Sequence, residues 1–474
     1  MKPHSSDKMT NKKTIDEICI HEKSSIRDTI KNINASGLGI ALIVDNDKKL
    51  KGVVTDGDVR RAILQGKDLE GPTHEIMNRD PFTINHISDY ESLADEVRKR
   101  SIIGKIPVID SKRKVKDLVF VHDKGGSVFS LSTEKKKIQE RIVKNILVIG
   151  GAGYIGSVLV RQLLDKGYKV TVLDTLLYGD EPIKELFDNP DFTFIKGNTR
   201  HVEDVVDAVK AVDAVVHLAE LVGDPMCAHK PQITQEVNLF ATHLVAMVCK
   251  HFHISKFVYM SSCSVYGASK KGELLNEQSR LNPVSLYAKM KIEAEKALFE
   301  MANDIFKPCI FRLSTVYGLS PRMRFDLVVN IMTAKAVKEG TIKVFGGDQY
   351  RPNVHVADVA RAIILALEAP IEKVGGQVFN VGSEKQNYKI EEIAKIVQKG
   401  IHGSKITTEG SNVDLRDYKV NFEKIRSTLG FAPEMTIEKA VVEIKKALED
   451  RSIAEYSDKR YHNFNYFKEM EGRE

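Results

Sequence analysis

Tyr287 and Lys291 stand four positions apart in NPVSLYAKMKIEAE, so on a helix both side chains project from one face. That proximity suits proton transfer. A free tyrosine titrates near pH 10, and a base working near pH 7 needs about three units of depression, or roughly 4 kcal/mol. A neighbouring ammonium favours the phenolate. Upstream, KFVYMSSCSVYG reads as an apolar strand ending in a hydroxyl-rich turn that holds Ser262. A YxxxK spacing alone arises often by chance on surface helices, so its weight depends on what precedes it.

What precedes it is NILVIGGAGYIGSVLVRQLLDKGYKVTVLDTL, from Asn145. An apolar strand runs into glycines at 150, 151, 153 and 156, then an amphipathic helix, then a second apolar strand ending at Asp174. Strand, glycines, helix and acid in this order form a dinucleotide-binding fingerprint. Gly150 permits the tight turn, Gly153 lets backbone approach a pyrophosphate, and Gly156 lets the helix pack on the strand. The helix N-terminus offers N–H groups and partial positive charge to phosphates. Asp174 can accept hydrogen bonds from both adenosine ribose hydroxyls and would repel a 2′-phosphate, which favours NAD over NADP.

The triple-glycine spacing resembles the extended short-chain dehydrogenase/reductase superfamily, and further matches over residues 144–450 arrive in that family's order. The resemblance places Tyr154 and Ile155 with the cofactor. It adds Asn198 of GNTRH, where Asp is usual, and Leu218 and Ala219 of HLAE, where Glu220 replaces the usual Ala. It implies that Ser262 bonds the reacting sugar oxygen, that Tyr287 takes a sugar hydroxyl proton as hydride passes to NAD, and that Lys291 holds the nicotinamide ribose. The positive nicotinamide ring would add to the ammonium in favouring phenolate. Sugar 4,6-dehydratases of this superfamily resemble one another in carrying Asp-Glu after the hydroxyl; here Cys263 and Ser264 follow, which disfavours dehydration. Cys263 reads as a small packing residue.

Downstream, FRLSTVYG, VFGGDQYRPNVHVADVARAI and DLRDYKVNFEKIRSTLGFAP resemble the substrate lobe of nucleotide-sugar epimerases and dehydratases. By that resemblance Arg351 and Arg416 grip the diphosphate, a task suited to the guanidinium fork. Thr315 stands where the family commonly has Asn. Arg322 and Arg324 fall near the expected pocket without an assigned role. Cys249, His251 and His253 sit near a helix C-terminus, where imidazoles complement the dipole, and no metal is expected. The tail, 451–474, is polar and aromatic and is expected to dock on the surface without chemistry.

Before these, residues 14–124 repeat internally. ALIVDNDKKLKGVVTDGD, ending at Asp58, realigns with IPVIDSKRKVKDLVFVHD, ending at Asp123, an offset of 123 − 58 = 65. The segment resembles a tandem CBS-domain pair, carried by GVVTDGDVRR. That family's Thr/Ser-x-x-Asp element, here Thr55 and Asp58, holds the ribose of an adenine nucleotide; the second copy has Phe120 in place of the hydroxyl. An oligomerisation module without ligand is an equal reading. Residues 125–143 change composition sharply and read as a charged linker.

The 474 residues allow two or three domains. A net charge of +6, spread along the chain, does not argue for nucleic acid. Five scattered cysteines fit a reducing compartment. The polar N-terminus and the absence of an apolar run of roughly 18 residues point to a cytoplasmic, non-membrane protein. The expected fold is α/β: a Rossmann-type doubly wound parallel sheet with a smaller C-terminal substrate lobe, preceded by an α+β tandem CBS module. The expected partner is a nucleoside-diphosphate sugar, in a homodimer or higher homo-oligomer. Epimerisation leads; dehydrogenation, decarboxylation and dehydration remain rivals, and a non-catalytic NAD or adenine-nucleotide sensor is the alternative of another class.

Overall fold

The computed structural model describes residues 15–36, 38–84, 105–121, 128–130, 143–268, 272–303, 305–409, 416–453 and 455–471. The chain divides into two compact units, residues 1–139 and 140–474.

In the first unit, β1 (Cys19–His21) pairs in parallel with β2 (Ile40–Val44), and β2 pairs antiparallel with β3 (Leu50–Thr55). Helices α1 (Ile26–Ser36) and α2 (Asp56–Leu64) follow β1 and β3. The second copy gives β4 (Lys105–Ile109), β5 (Val115–Val121) and β6 (Val128–Ser130), all antiparallel. The repeat survives in fine detail: β4 begins 105 − 40 = 65 residues after β2, and β5 begins 115 − 50 = 65 after β3. Both hairpins bulge at the equivalent place, Ile43/Val44 and Val108/Ile109. Both turn through an aspartate, Asp45 or Asp110, whose Oδ1 accepts two backbone N–H groups. Both need a positive φ, 60° at Lys48 and 61° at Arg113. Ile18, Leu42, Val53, Ile109 and Leu118 form one core, so each copy covers the other's apolar face. β6 lies inside the stretch expected as linker and extends the second sheet. Asp123 and the lysine-rich run over 131–142 lie outside the described residues.

The second unit is built on β7 (Asn145–Ile149), β8 (Lys169–Asp174), β9 (Phe192–Lys196), β10 (Ala214–His217), β11 (Lys256–Ser262), β12 (Lys307–Leu313) and β13 (Val378–Val381). Their order is β13-β12-β11-β10-β7-β8-β9, all parallel. Continuous apolar runs such as ILVI in β7 and AVV in β10 suit strands covered on both faces. Val148, Val170 and Val172 pack with α3 (Gly156–Asp165) and α8 (Val356–Glu368) on one face. Leu147, Ile149 and Val215 pack with α4 (Val202–Val209), α6 (Ala241–His251) and α7 (Leu286–Glu300) on the other. Strand order reverses between β7 and β10, and the carboxyl ends there open the crevice in which such sheets bind ligands.

A smaller lobe carries Thr315–Tyr317 beside Tyr350–His355 and a second ladder of Thr341–Phe345 with Lys405–Glu409. Its core includes Tyr317, Val329, Met332, Ile393 and Val441. The fold is the expected doubly wound sheet with a substrate lobe. Among the described residues, no helix is long and apolar enough to cross a membrane.

Candidate active site

The glycine loop is shaped by close backbone approach. Gly150 has φ +85°, and a Cβ there would meet the Ala219 backbone nitrogen at 2.7 Å. A Cβ at Gly156 would collide with the Gly150 carbonyl, whereas at Gly153 it would meet only that oxygen, at 3.2 Å. Leu218 N–H donates to Ile149 O (2.9 Å), tying the segment after β10 to β7. Asp174 closes β8 with Oδ2 accepting from Ala152 N–H (3.0 Å) and Oδ1 from Leu176 N–H (2.9 Å). Burial raises its carboxyl above the usual range. A cradle lacking side chains, beside an oriented carboxylate with lone pairs to spare, fits a dinucleotide.

Other expected cofactor residues have partners within the protein. Tyr154 is buried, its hydroxyl donating to Gly318 O (2.7 Å) and accepting from Asn330 (3.1 Å), so it anchors the lobe to the glycine loop. Ile155 lies between two apolar clusters. Asn198 Oδ1 accepts from Arg200 N–H (3.0 Å).

Ser262 ends β11, and its Oγ accepts from Ser264 N–H (3.1 Å), capping the turn that follows. Ser285 caps α7 in the same manner and places Tyr287 in the first helical turn. The Ser262 side chain lies near enough to the Tyr287 phenol to favour its ionised form. Lys291, one turn on, is 3% exposed, with its ammonium 5.6 Å from the Tyr287 ring centroid and 4.8 Å from that of Tyr259. The three residues meet at the carboxyl end of β11, as their spacing predicts.

The electrostatics differ from expectation. Lys291 donates to Met260 O and forms a buried ion pair with Glu220. Tyr259 donates to the other oxygen of Glu220 at 2.6 Å. The Tyr287 phenol is therefore not depressed in this state: burial, reinforced by the Glu220 carboxylate, pushes it far above the ordinary tyrosine range. Cys263 is buried, donates to Arg312 O (3.3 Å), and its thiol is pushed up by burial.

The two expected diphosphate arginines lie together. Arg351 Nη1 donates to Tyr350 O (2.8 Å) and to Arg416 O, and Arg416 pairs with Asp224 (2.9 Å) at the start of α5 (Asp224–His229). Thr315 faces Asn353 across the strand pair. Arg324 forms a two-pronged pair with Asp326 (2.8–2.9 Å). Arg322 is buried 4.0 Å over the Tyr178 ring, and burial pushes its guanidinium down to about 10.

The tail packs near the site. Phe464 and Phe467, on α9 (Asn463–Glu471), pack with Tyr287 against Leu221, Met226 and Cys227. Tyr466 lies 5.5 Å from the Tyr178 ring. The sequence signal for this is slight: the aromatic density of YHNFNYF, a run with no chemical motif.

In the first unit, Thr55 and Asp58 satisfy each other. Asp58 Oδ2 accepts from Thr55 N–H (2.8 Å) and from the Thr55 hydroxyl (2.7 Å), forming a capping box at α2. Among the described residues, no group of three or more His, Cys, Asp or Glu could hold a metal; Cys249 is buried, and the His251 ring packs edge-on against Phe252.

Residues 146–382 match the model of the NAD dependent epimerase/dehydratase family, and residues 10–65 match that of the CBS domain. An uncharacterized UDP-glucose epimerase of Bacillus subtilis (strain 168) is 30% identical over 286 residues, 56% of this chain and 85% of the relative. A dTDP-glucose 4,6-dehydratase of Streptomyces niveus is 28% identical over 311 residues, 63% of this chain and 90% of the relative. The solved UDP-glucose 4-epimerase of Thermus thermophilus, in complex with NAD, is 26% identical with a TM-score of 0.56, covering 64% of this chain and 100% of its own.

Proposed function

The chain belongs to the NAD dependent epimerase/dehydratase family, and on that premise we propose that it epimerises a nucleoside-diphosphate sugar by oxidising one ring carbon and returning the hydride. The convergence of Ser262, Tyr287 and Lys291 beside the glycine cradle carries this reading. Ser262 orients the sugar hydroxyl, and Tyr287 takes its proton and later gives it back. Lys291 holds the cofactor ribose, Asp174 the adenosine ribose, and the Gly150–Gly156 backbone the pyrophosphate. NAD supplies the reversible hydride acceptor. Arg351 and Arg416 bind the substrate diphosphate, and Thr315 lines the sugar site. Two relatives with UDP-glucose epimerase names, one of them the 28% identical UDP-glucose 4-epimerase of B. subtilis, support a uridine diphosphate sugar.

Epimerisation is favoured over dehydration because Cys263 and Ser264 are buried and Cys263 points its thiol at a backbone carbonyl. No acid stands there to expel water. The CBS pair at 14–124 regulates the 144–450 catalytic domain through an adenine nucleotide at Thr55 and Asp58, within a homodimer. The five free cysteines support a cytoplasmic setting.

The test is incubation with UDP-, dTDP-, GDP- and CDP-sugars without added cofactor, followed by mass and proton NMR analysis. A product of unchanged mass and altered ring couplings, absent with Tyr287→Phe, is the expected result. Loss of water or carbon dioxide, or a requirement for stoichiometric NAD, would replace epimerisation with the corresponding reaction.

A further inference from the structure

Glu220 is the departure from the family pattern that sits deepest in the site. Its side chain is 2% exposed and that of its ion-pair partner Lys291 is 4%. Tyr259, on β11, donates to its other oxygen at 2.6 Å. A carboxylate buried with an ammonium is held in one geometry, because either partner alone would carry an unpaired charge. The lysine that should favour a tyrosinate thus has its charge answered by a carboxylate.

We propose that Glu220 is a positioning residue: with the Met260 carbonyl of β11 it clamps the Lys291 ammonium and withholds that charge from Tyr287, so that the phenol keeps its proton until further positive charge enters the site. The proposal rests on reading Tyr287 as the base. After burial, Glu220 is the charged group that acts most on the phenol. On β10, His217 is neutral, pushed down to about 3 by burial. On α5, Asp224 pairs with Arg416, and the Cys227 thiol is pushed up to about 12. On α7, Glu295 is taken by Arg312. Arg324, which favours the phenolate from the lobe, is tied to Asp326. On α9, Lys468 lies over the Phe464 ring. Burial raises the Glu220 carboxyl itself, and Lys291 and Tyr259 oppose that rise.

A family-like alanine at 220 would remove the carboxylate that answers the Lys291 ammonium. The experiment is ultraviolet difference titration of the NAD-loaded full chain from about pH 7 to about pH 11. Wild type, Glu220→Gln and Glu220→Ala are each compared with the same protein carrying Tyr287→Phe, which assigns the tyrosinate band. The proposal expects a Tyr287 band inside this range in both Glu220 variants, about one unit or more below that of wild type, whose band lies higher or beyond the range. A band at the same pH as in wild type, or one absent from all three, overturns it. Glu220→Gln keeps the shape and an acceptor for Tyr259, so it is the variant to rely on should Glu220→Ala fail to fold. Sugar turnover is not needed for this reading: Tyr287→Phe that still turns over substrate would remove the base assignment while leaving the titration interpretable.

Discussion

Arg312 and Glu295 form a buried, two-pronged ion pair, 3.0 Å from Nε to Oε1 and 2.6 Å from Nη2 to Oε2, that fastens α7 to β12. Ser261, next to Ser262, donates to the same carboxylate, and Arg312 Nη1 reaches Tyr266 (3.1 Å), which donates to Asn380. The helix bearing Tyr287 and Lys291 is therefore located by a charge pair one turn beyond Lys291. Removing one partner strands the other in the interior. Arg312→Met should cost about 3–5 kcal/mol of unfolding free energy, measured by urea denaturation, and Arg312→Met with Glu295→Leu should recover part of it.

Tyr287→Phe should lower turnover by about 10²–10⁴-fold, the usual worth of a positioned acid–base group. NAD affinity should stay near wild type, because the cradle is backbone and Asp174. Steady-state kinetics with calorimetric NAD titration checks both halves; loss of NAD binding would mean that the phenol holds cofactor rather than moving protons.

His217 is buried beside Thr242 (3.0 Å), and burial pushes it from 6.5 to about 3. Between those values the unfolded chain binds a proton that the native state does not. This contribution is fully present above about pH 6.5 and is lost as pH falls toward 3, at about 1.4 kcal/mol per pH unit. Denaturation series at several pH values should give His217→Gln a shallower acid dependence than wild type.

Asp58→Ala should loosen α2 by about 1 kcal/mol, the ordinary value of a lost helix cap. The same variant in equilibrium binding with labelled AMP, ADP and ATP tests the nucleotide reading. Equal weak binding by wild type and variant would leave the capping box as the whole role of these residues.

Phe464→Ala with Phe467→Ala should reduce turnover while leaving the melting of the sheet nearly unchanged, since both rings are partly buried on the site side of α9. A thermal melt beside the sugar assay separates the two effects; unchanged turnover would make α9 a surface cover only.

What the sequence discloses is local or periodic. The 65-residue repeat could be read because each copy needs the same aspartate turn, bulge and positive φ. The glycine loop could be read because steric demand restricts Gly150 and Gly156 to one residue type. Ser262, Tyr287 and Lys291 were legible as a spacing on a strand end and a helix. Partners brought together by the fold were not: Glu220 showed as an odd residue after HLA, and nothing local said that its carboxylate would face Lys291. Arg351 and Arg416 were found as arginines, while the contact of one with the other's carbonyl depends on how the lobe closes. Phe464 and Phe467 carry no periodic or motif signal that ties them to Leu221, Met226 and Cys227.

That last contact sets an order of events during synthesis. α7 leaves the ribosome long before residues 463–471 are made, so the growing chain presents Leu221, Met226 and Cys227 without Phe464 and Phe467 against them. A nascent chain stalled before residue 460 would hold every member of the proposed acid–base set while leaving that apolar cluster open to water.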